Sequence, residues 1–172
     1  GGAGAAPLDV SEGVLAMLVA RGDVVRRGTA FSLPEHAPRL APLDEAHWAR
    51  VRPLLEAAGT RPPRVRELAA ELGLEPDAAE ALLVRLEKFG LLSRVASNRF
   101  FPPDAVRELA EAAEALVAES EESAFTAAEF ARRTGIGRNL TIQVVEYLDR
   151  IGVTKRQGEL RRMARPAGDA LG

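Results

Sequence analysis

The residues of this chain best suited to chemistry are cations clustered near its C-terminal end. Arg133, Arg138, Asn139, Lys155 and Arg162 stand where an otherwise similar stretch, offset by 62 positions, has Glu71, Pro76, Asp77, Ser93 and Phe100. Residues 126–163 hold 8 Lys/Arg against 4 Asp/Glu, a net of +4, whereas residues 64–101 hold 6 of each. Guanidinium groups beside Gly135 and Gly137 can bind an anion in two ways: through planar donor forks and through open backbone N–H groups at a helix start. The chemistry this implies is the gripping of a polyanion rather than the making or breaking of a bond.

Catalytic and metal chemistry find little support. The only histidines, His36 and His47, have no partners at ligand spacing and adjoin no nucleophile motif. There is no cysteine, which removes disulfides and thiolate zinc sites. The segment Gly135–Leu140 lacks the third glycine of a dinucleotide fingerprint and follows a helix pattern, and no G-x-x-x-x-G-K-[ST] run is present. Acidic residues 111–122 read as an exposed helix face, Trp48 as a core anchor and Tyr147 as a core-edge residue. The expectation is a protein that is not an enzyme and holds no metal or cofactor in this segment.

The cations need a scaffold, and an internal repeat supplies one. At the 62-residue offset, Glu67, Ala69, Gly73, Leu86, Gly90, Arg94 and Arg99 meet Glu129, Ala131, Gly135, Leu148, Gly152, Arg156 and Arg161 without a gap. Leu82, Leu83, Leu86 and Phe89 likewise meet Val144, Val145, Leu148 and Ile151, so both copies keep one apolar face. Each copy reads as three helices followed by a two-stranded hairpin.

In the middle copy, Asp44 is expected to cap a helix running to Glu56 that contains Pro53. A second helix covers 64–72 and ends at Gly73. A third starts at Glu75 or Asp77 and closes at Gly90, and a hairpin turns at Ala96-Ser97-Asn98. In the last copy, Asp104 is expected to cap a helix to Ser120. Thr126 and Glu129 form a capping box, Gly135 is the turn, 138–151 is the third helix, and the hairpin turns at Gln157-Gly158. Gly22 and Pro34 align with Gly90 and Pro102, so residues 14–36 read as a third helix and wing left from a truncated copy.

Composition agrees with a helical, soluble chain. Of 172 residues, 8 are aromatic (5%), and no apolar run reaches the ~18–20 residues of a membrane span. No signal-peptide pattern opens the chain, so a cytoplasmic location is expected. The net charge of −2 hides an asymmetry: residues 1–122 carry 14 Lys/Arg and 20 Asp/Glu, and residues 123–172 carry 9 and 5.

Helix-turn-helix plus hairpin is the order of a winged helix, so the fold class expected is mainly α with small β-hairpins in tandem winged-helix domains. The charge swaps between copies fall at the end of the second helix, the start of the third and the wing, which are the parts that face nucleic acid in such domains. A solvated basic face would explain the charge alone but not its concentration on these three elements. The competing readings are a duplex-DNA-binding winged-helix transcriptional regulator and a structural array that binds protein.

The run from Phe125 to Arg162, with Gly135-Ile136-Gly137-Arg138, Ile142-Gln143-Val144, Glu146-Tyr147 and Asp149-Arg150-Ile151-Gly152, closely resembles the last winged helix of the bacterial selenocysteine-specific elongation factor family. Residues 26–36 resemble the wing of the second of that family's four C-terminal winged helices, and 40–102 resemble the third. The resemblance implies an RNA-binding module for the selenocysteine insertion element, an mRNA hairpin beside an in-frame UGA codon. It implies tethering to the ribosome through a parent factor whose GTP-binding domain lies outside this segment. It also implies RNA contacts from Arg138 and Asn139 at the third helix and from Lys155, Arg156, Arg161 and Arg162 on the wing, flanked by Arg132 and Arg133. Asn139 departs from the lysine often found at its position, leaving an amide in place of a charge. The expected division is a partial winged helix at 1–36, a spacer winged helix at 37–102, an RNA-binding winged helix at 103–166 and a disordered tail at 167–172, in a monomer.

Overall fold

The computed structural model describes residues 25–27, 30–32 and 39–171. Strands β1 (Val25–Arg27) and β2 (Ala30–Ser32) pair antiparallel, where the wing of the partial copy is expected. The helix expected before them lies outside the described residues. The chain divides into two compact units, one ending at Ala49 and one running from Arg50 to Gly172. The division between these units does not fall at 102/103. Val95 and Phe101 of the middle copy join the same buried cluster as Leu109, Phe130, Val145 and Leu148 of the last, so the two copies share one core.

Helix α1 (Pro42–Ala58) starts two residues before Asp44. Likewise α4 (Pro103–Glu119) starts before Asp104, with Pro102 at its cap. Both expected aspartate caps are therefore corrected. In each helix proline takes the first helical position, where its missing N–H has no intrahelical acceptor to lose, and the aspartate falls in the first turn beside the positive dipole end. Pro53 lies inside α1 without ending it.

Helices α2 (Val65–Leu72) and α3 (Pro76–Lys88) follow, joined through Gly73 in the left-handed region, with β3 (Ser93–Ala96) and β4 (Arg99–Phe101) as a hairpin. The register shifts at Val95, a bulge that leaves this residue out of the ladder. Leu68, Leu82, Leu83, Leu86 and Phe100 fill the space beneath.

The last copy repeats this order and adds two pieces. Helices α5 (Ala127–Thr134) and α6 (Arg138–Arg150) precede strands β6 (Thr154–Gln157) and β7 (Leu160–Met163). A short strand, β5 (Phe125–Thr126), pairs with β7, giving a three-stranded sheet of order β5-β7-β6. The wing turns at Gly158-Glu159, one residue later than expected. Residues 167–171, expected as disordered tail, form helix α7 (Ala167–Leu171). Ala167 is buried and its N–H donates to Glu114 of α4, while Leu171 packs against the core, so apolar burial orders this segment.

Thr126 caps α5 as expected: its side chain accepts from Glu129 N–H, and Glu129 accepts from Thr126 N–H at 2.8 Å. These hydrogen bonds, backbone first, and then the charge of Arg132 hold the Glu129 carboxyl below its usual range. A depressed folded-state value stabilises the fold above the unfolded pKa, and that contribution is lost as pH falls through the folded value. Thr126→Ala is expected to cost about 1 kcal/mol, the usual worth of such a cap, measured as a shift in the urea midpoint.

Candidate nucleic-acid interface

Two short elements position the cations. The first is the turn between α5 and α6. Gly135 takes φ 74° and its N–H donates to Ala131, ending α5. The buried Ile136 pins the turn to the core, and Gly137 then caps α6 in extended conformation. The first turn of α6 contains no acid, and its leading N–H groups, Arg138 to Leu140, have no intrahelical acceptor. Arg138 and Asn139 are exposed there, and a Cβ added at Gly137 would meet nothing within 4 Å. The equivalent helix start in the middle copy carries Glu75 at its cap and Asp77 in its first turn.

The second element is the wing. Lys155, Arg156 and Gln157 are exposed on β6, the free side of the sheet. The two wings engage their arginines differently. In the middle copy, Arg94 donates to Glu80 at 2.7 Å and lies over the Phe100 ring at 5.1 Å. In the last copy Ile142 and Arg162 stand at the sequence positions of Glu80 and Phe100, so the counterpart Arg156 has neither an acid nor a ring there; it pairs with Arg161 across the ladder and its side chain donates to the Gly158 carbonyl, 2.9 Å away. Among the described residues, Arg138, Lys155 and Arg156 have no carboxylate partner.

Three other expected site residues, Arg133, Arg161 and Arg162, have partners within the fold. Arg161 is 4% exposed. Its Nε donates to Asp149 Oδ2 at 3.0 Å, and Thr154 Oγ1 donates to the same carboxylate at 2.6 Å. The expectation of an RNA contact at Arg161 is therefore corrected: the side chain ties the sheet to α6. Arg162 donates to Gln157 Oε1 and to the Glu122 and Ser123 carbonyls, which fastens the wing to the loop before β5. Arg133 is paired with Glu119. Arg132 is exposed and, with Leu116, Glu129 and Arg133, borders a shallow depression of about 340 Å³. Arg138, Asn139, Lys155 and Arg156 are thus exposed and without a carboxylate partner, whereas Arg133 and Arg162 are engaged within the fold.

Two clamps hold α6 in place. After Gly152, at φ 82°, Arg165 reaches back to donate to the Gly152 and Ile151 carbonyls. This puts a cation on the negative end of the helix. On its flank α6 meets the middle wing: Arg150 donates to the Val95 carbonyl, freed by the bulge, at 3.2 Å and lies over Tyr147. Gln143, Glu146 and Arg150 with Arg94–Ser97 line a depression of about 250 Å³ at this contact. The covered flank leaves Arg138, Asn139 and Ile142 toward solvent at the N-terminal end of α6. Neither clamp was expected from sequence, because each joins residues whose proximity depends on tertiary packing.

Known proteins share the fold. Residues 117–163 match the winged helix of elongation factor SelB. The mRNA-binding domain of elongation factor SelB from Escherichia coli, solved in complex with SECIS RNA, is 32% identical, with a TM-score of 0.67 over 73% of this chain and 100% of that one. The chain belongs to the SelB elongation factor family. The selenocysteine-specific elongation factor of Escherichia coli is 33% identical over 80% of this chain, and that of Haemophilus influenzae 26% identical over 73%. This chain spans about a fifth of their lengths, 22% and 20%. A bacterial selenocysteine-specific elongation factor of known structure shares the fold at 18% identity and a TM-score of 0.58. The SelB match covers α5, α6 and the wing, so these elements form a winged helix.

Proposed function

We propose that this chain is the RNA-binding module of a selenocysteine-specific elongation factor. It would recognise the mRNA hairpin that directs selenocysteine insertion and hold the parent factor on the ribosome for UGA recoding. The observation that carries the reading is the paired opening of the α6 N-terminus and the wing to anions in the copy that matches the SelB winged helix, while the same positions in the middle copy are acidic, apolar or neutralised. The SelB domain it resembles was solved with SECIS RNA bound.

The architecture is read as tandem winged helices, the middle copy at 37–102 being a spacer fused to the last through the shared core. Binding is the module's whole task. GTP chemistry belongs to the parent factor, the working compartment is the cytoplasm, and the module acts as a monomer. Among the described residues, no helix is long and apolar enough to cross a membrane.

The geometry suits RNA. An A-form major groove is too narrow to admit a helix, so RNA sequence is read where bases leave the stack. A helix N-terminus and a short wing are matched to that task, gripping backbone on two sides of a loop or bulge. Titrating the chain with a bulged RNA hairpin and with DNA of the same sequence, at two salt concentrations, tests the reading. The RNA should bind more tightly at both, with affinity falling as salt rises. Equal affinity for the two would refute it in favour of a DNA-binding regulator.

A further inference from the structure

The middle copy is electrically neutral as a block, but its cations are not evenly spread. Arg61, Arg64 and Arg66 crowd the entry to α2 with Glu67 beside them, whereas beyond it Arg85, Lys88, Arg94 and Arg99 are mixed with Glu71, Glu75, Asp77, Glu80 and Glu87. Arg61 does not face away from the last copy. Its guanidinium donates to the Gly135 carbonyl at the α5–α6 turn and lies 3.3 Å from where a Cβ on Gly135 would stand. The equivalent turn of the middle copy, at Gly73, has nothing within 4 Å of that position. A cation is therefore docked on one turn of the pair alone, two residues before the helix cap at Gly137.

The segment that carries Arg61 is well fastened. Gly59 ends α1 at φ 62°, and Arg61 N–H donates back to Ala58. Pro62 is buried and its carbonyl accepts from Arg99, while Val65 N–H donates to Asn98. Glu67 is occupied at the next helix, accepting from Arg64 N–H at 2.7 Å. Burial, and then the nearby charge of Arg64, lower the Arg99 pKa. One N–H of the exposed Arg61 fork is spent on Gly135, and a guanidinium has five, so donors remain for a ligand.

We propose that Arg61 carries the RNA interface of the last copy onto the middle copy, holding a phosphate of the same hairpin whose backbone meets Arg138 and the start of α6. The middle copy is then part of the grip as well as a spacer. This inference rests on the RNA reading above.

The test measures affinity of the whole chain for the bulged RNA hairpin over a salt series, for the unaltered chain, Arg61→Ala, Arg61→Lys and Arg138→Ala. Arg61→Ala should weaken binding roughly three- to tenfold and flatten the log K against log salt slope by about 0.7–0.9, one phosphate's share. Arg61→Lys, which keeps the charge but loses the fork, should restore the slope. An unchanged slope in Arg61→Ala, with or without weaker binding, would make Arg61 only a latch on Gly135 and overturn the proposal. If Arg138→Ala weakens binding while Arg61→Ala does not, this inference alone fails. If neither does, the RNA reading fails with it.

Discussion

Asp149→Ala is expected to destabilise the chain by about 3–5 kcal/mol, because it strands a buried guanidinium. The Arg161 side chain is 5% exposed and the Asp149 side chain 23%. The carboxylate also accepts from Thr154, so one residue of α6 ties both strands of the wing to the helix. Losing it leaves the positive charge of Arg161 under the sheet with neither a partner nor water. Arg161→Met should cost less, since the partly exposed Asp149 can be solvated while the methionine fills much of the vacated space. The double variant should recover most of the loss. Urea denaturation followed by helical circular dichroism measures all three. A loss below about 1 kcal/mol in Asp149→Ala would show that Arg161 reaches solvent, and would return it to the set of RNA contacts.

Removing the open cations should give the opposite pattern. Arg138→Ala, Lys155→Ala and Arg156→Ala combined are expected to lower affinity for the bulged RNA hairpin roughly a hundredfold or more near physiological salt. The salt slope should flatten by about 2–3, as for three lost phosphate contacts. Stability should move by no more than about 0.5 kcal/mol, since all three side chains are exposed and have no carboxylate partner. Filter binding over a salt series reads the first effect and urea denaturation the second. A loss of less than tenfold would place the interface elsewhere on the molecule. The contrast with Asp149→Ala separates a residue that touches the ligand from one that builds the surface.

The features legible in the sequence are those made by neighbours along the chain. The capping box of Thr126 and Glu129, the left-handed turn at Gly135 and both hairpins involve residues a few positions apart, where residue type and backbone geometry are directly linked. The open helix start at Arg138 was legible for the same reason: it takes only the lack of an acid in one turn. The errors have equally local causes or wholly distant ones. Asp44 and Asp104 looked like caps, but prolines at the first helical position moved the helix starts ahead of them. Arg161 and Arg156 are both wing arginines, opposite each other across the hairpin, and nothing in their own segment tells them apart.

By itself the sequence determined the order of helices and hairpins, the fact of duplication, and which copy carries the cations, because periodicity, turn chemistry and charge are written residue by residue. The tertiary structure decided which of those cations face outward. Asp149, twelve positions back on α6, draws Arg161 inward. Glu119 engages Arg133, the Glu122–Ser123 loop holds Arg162, and Arg61 arrives at Gly135 from 74 positions away. The physical reason is that a charged side chain binds a ligand only with the donors its own fold leaves unused, and that remainder depends on partners brought together by packing.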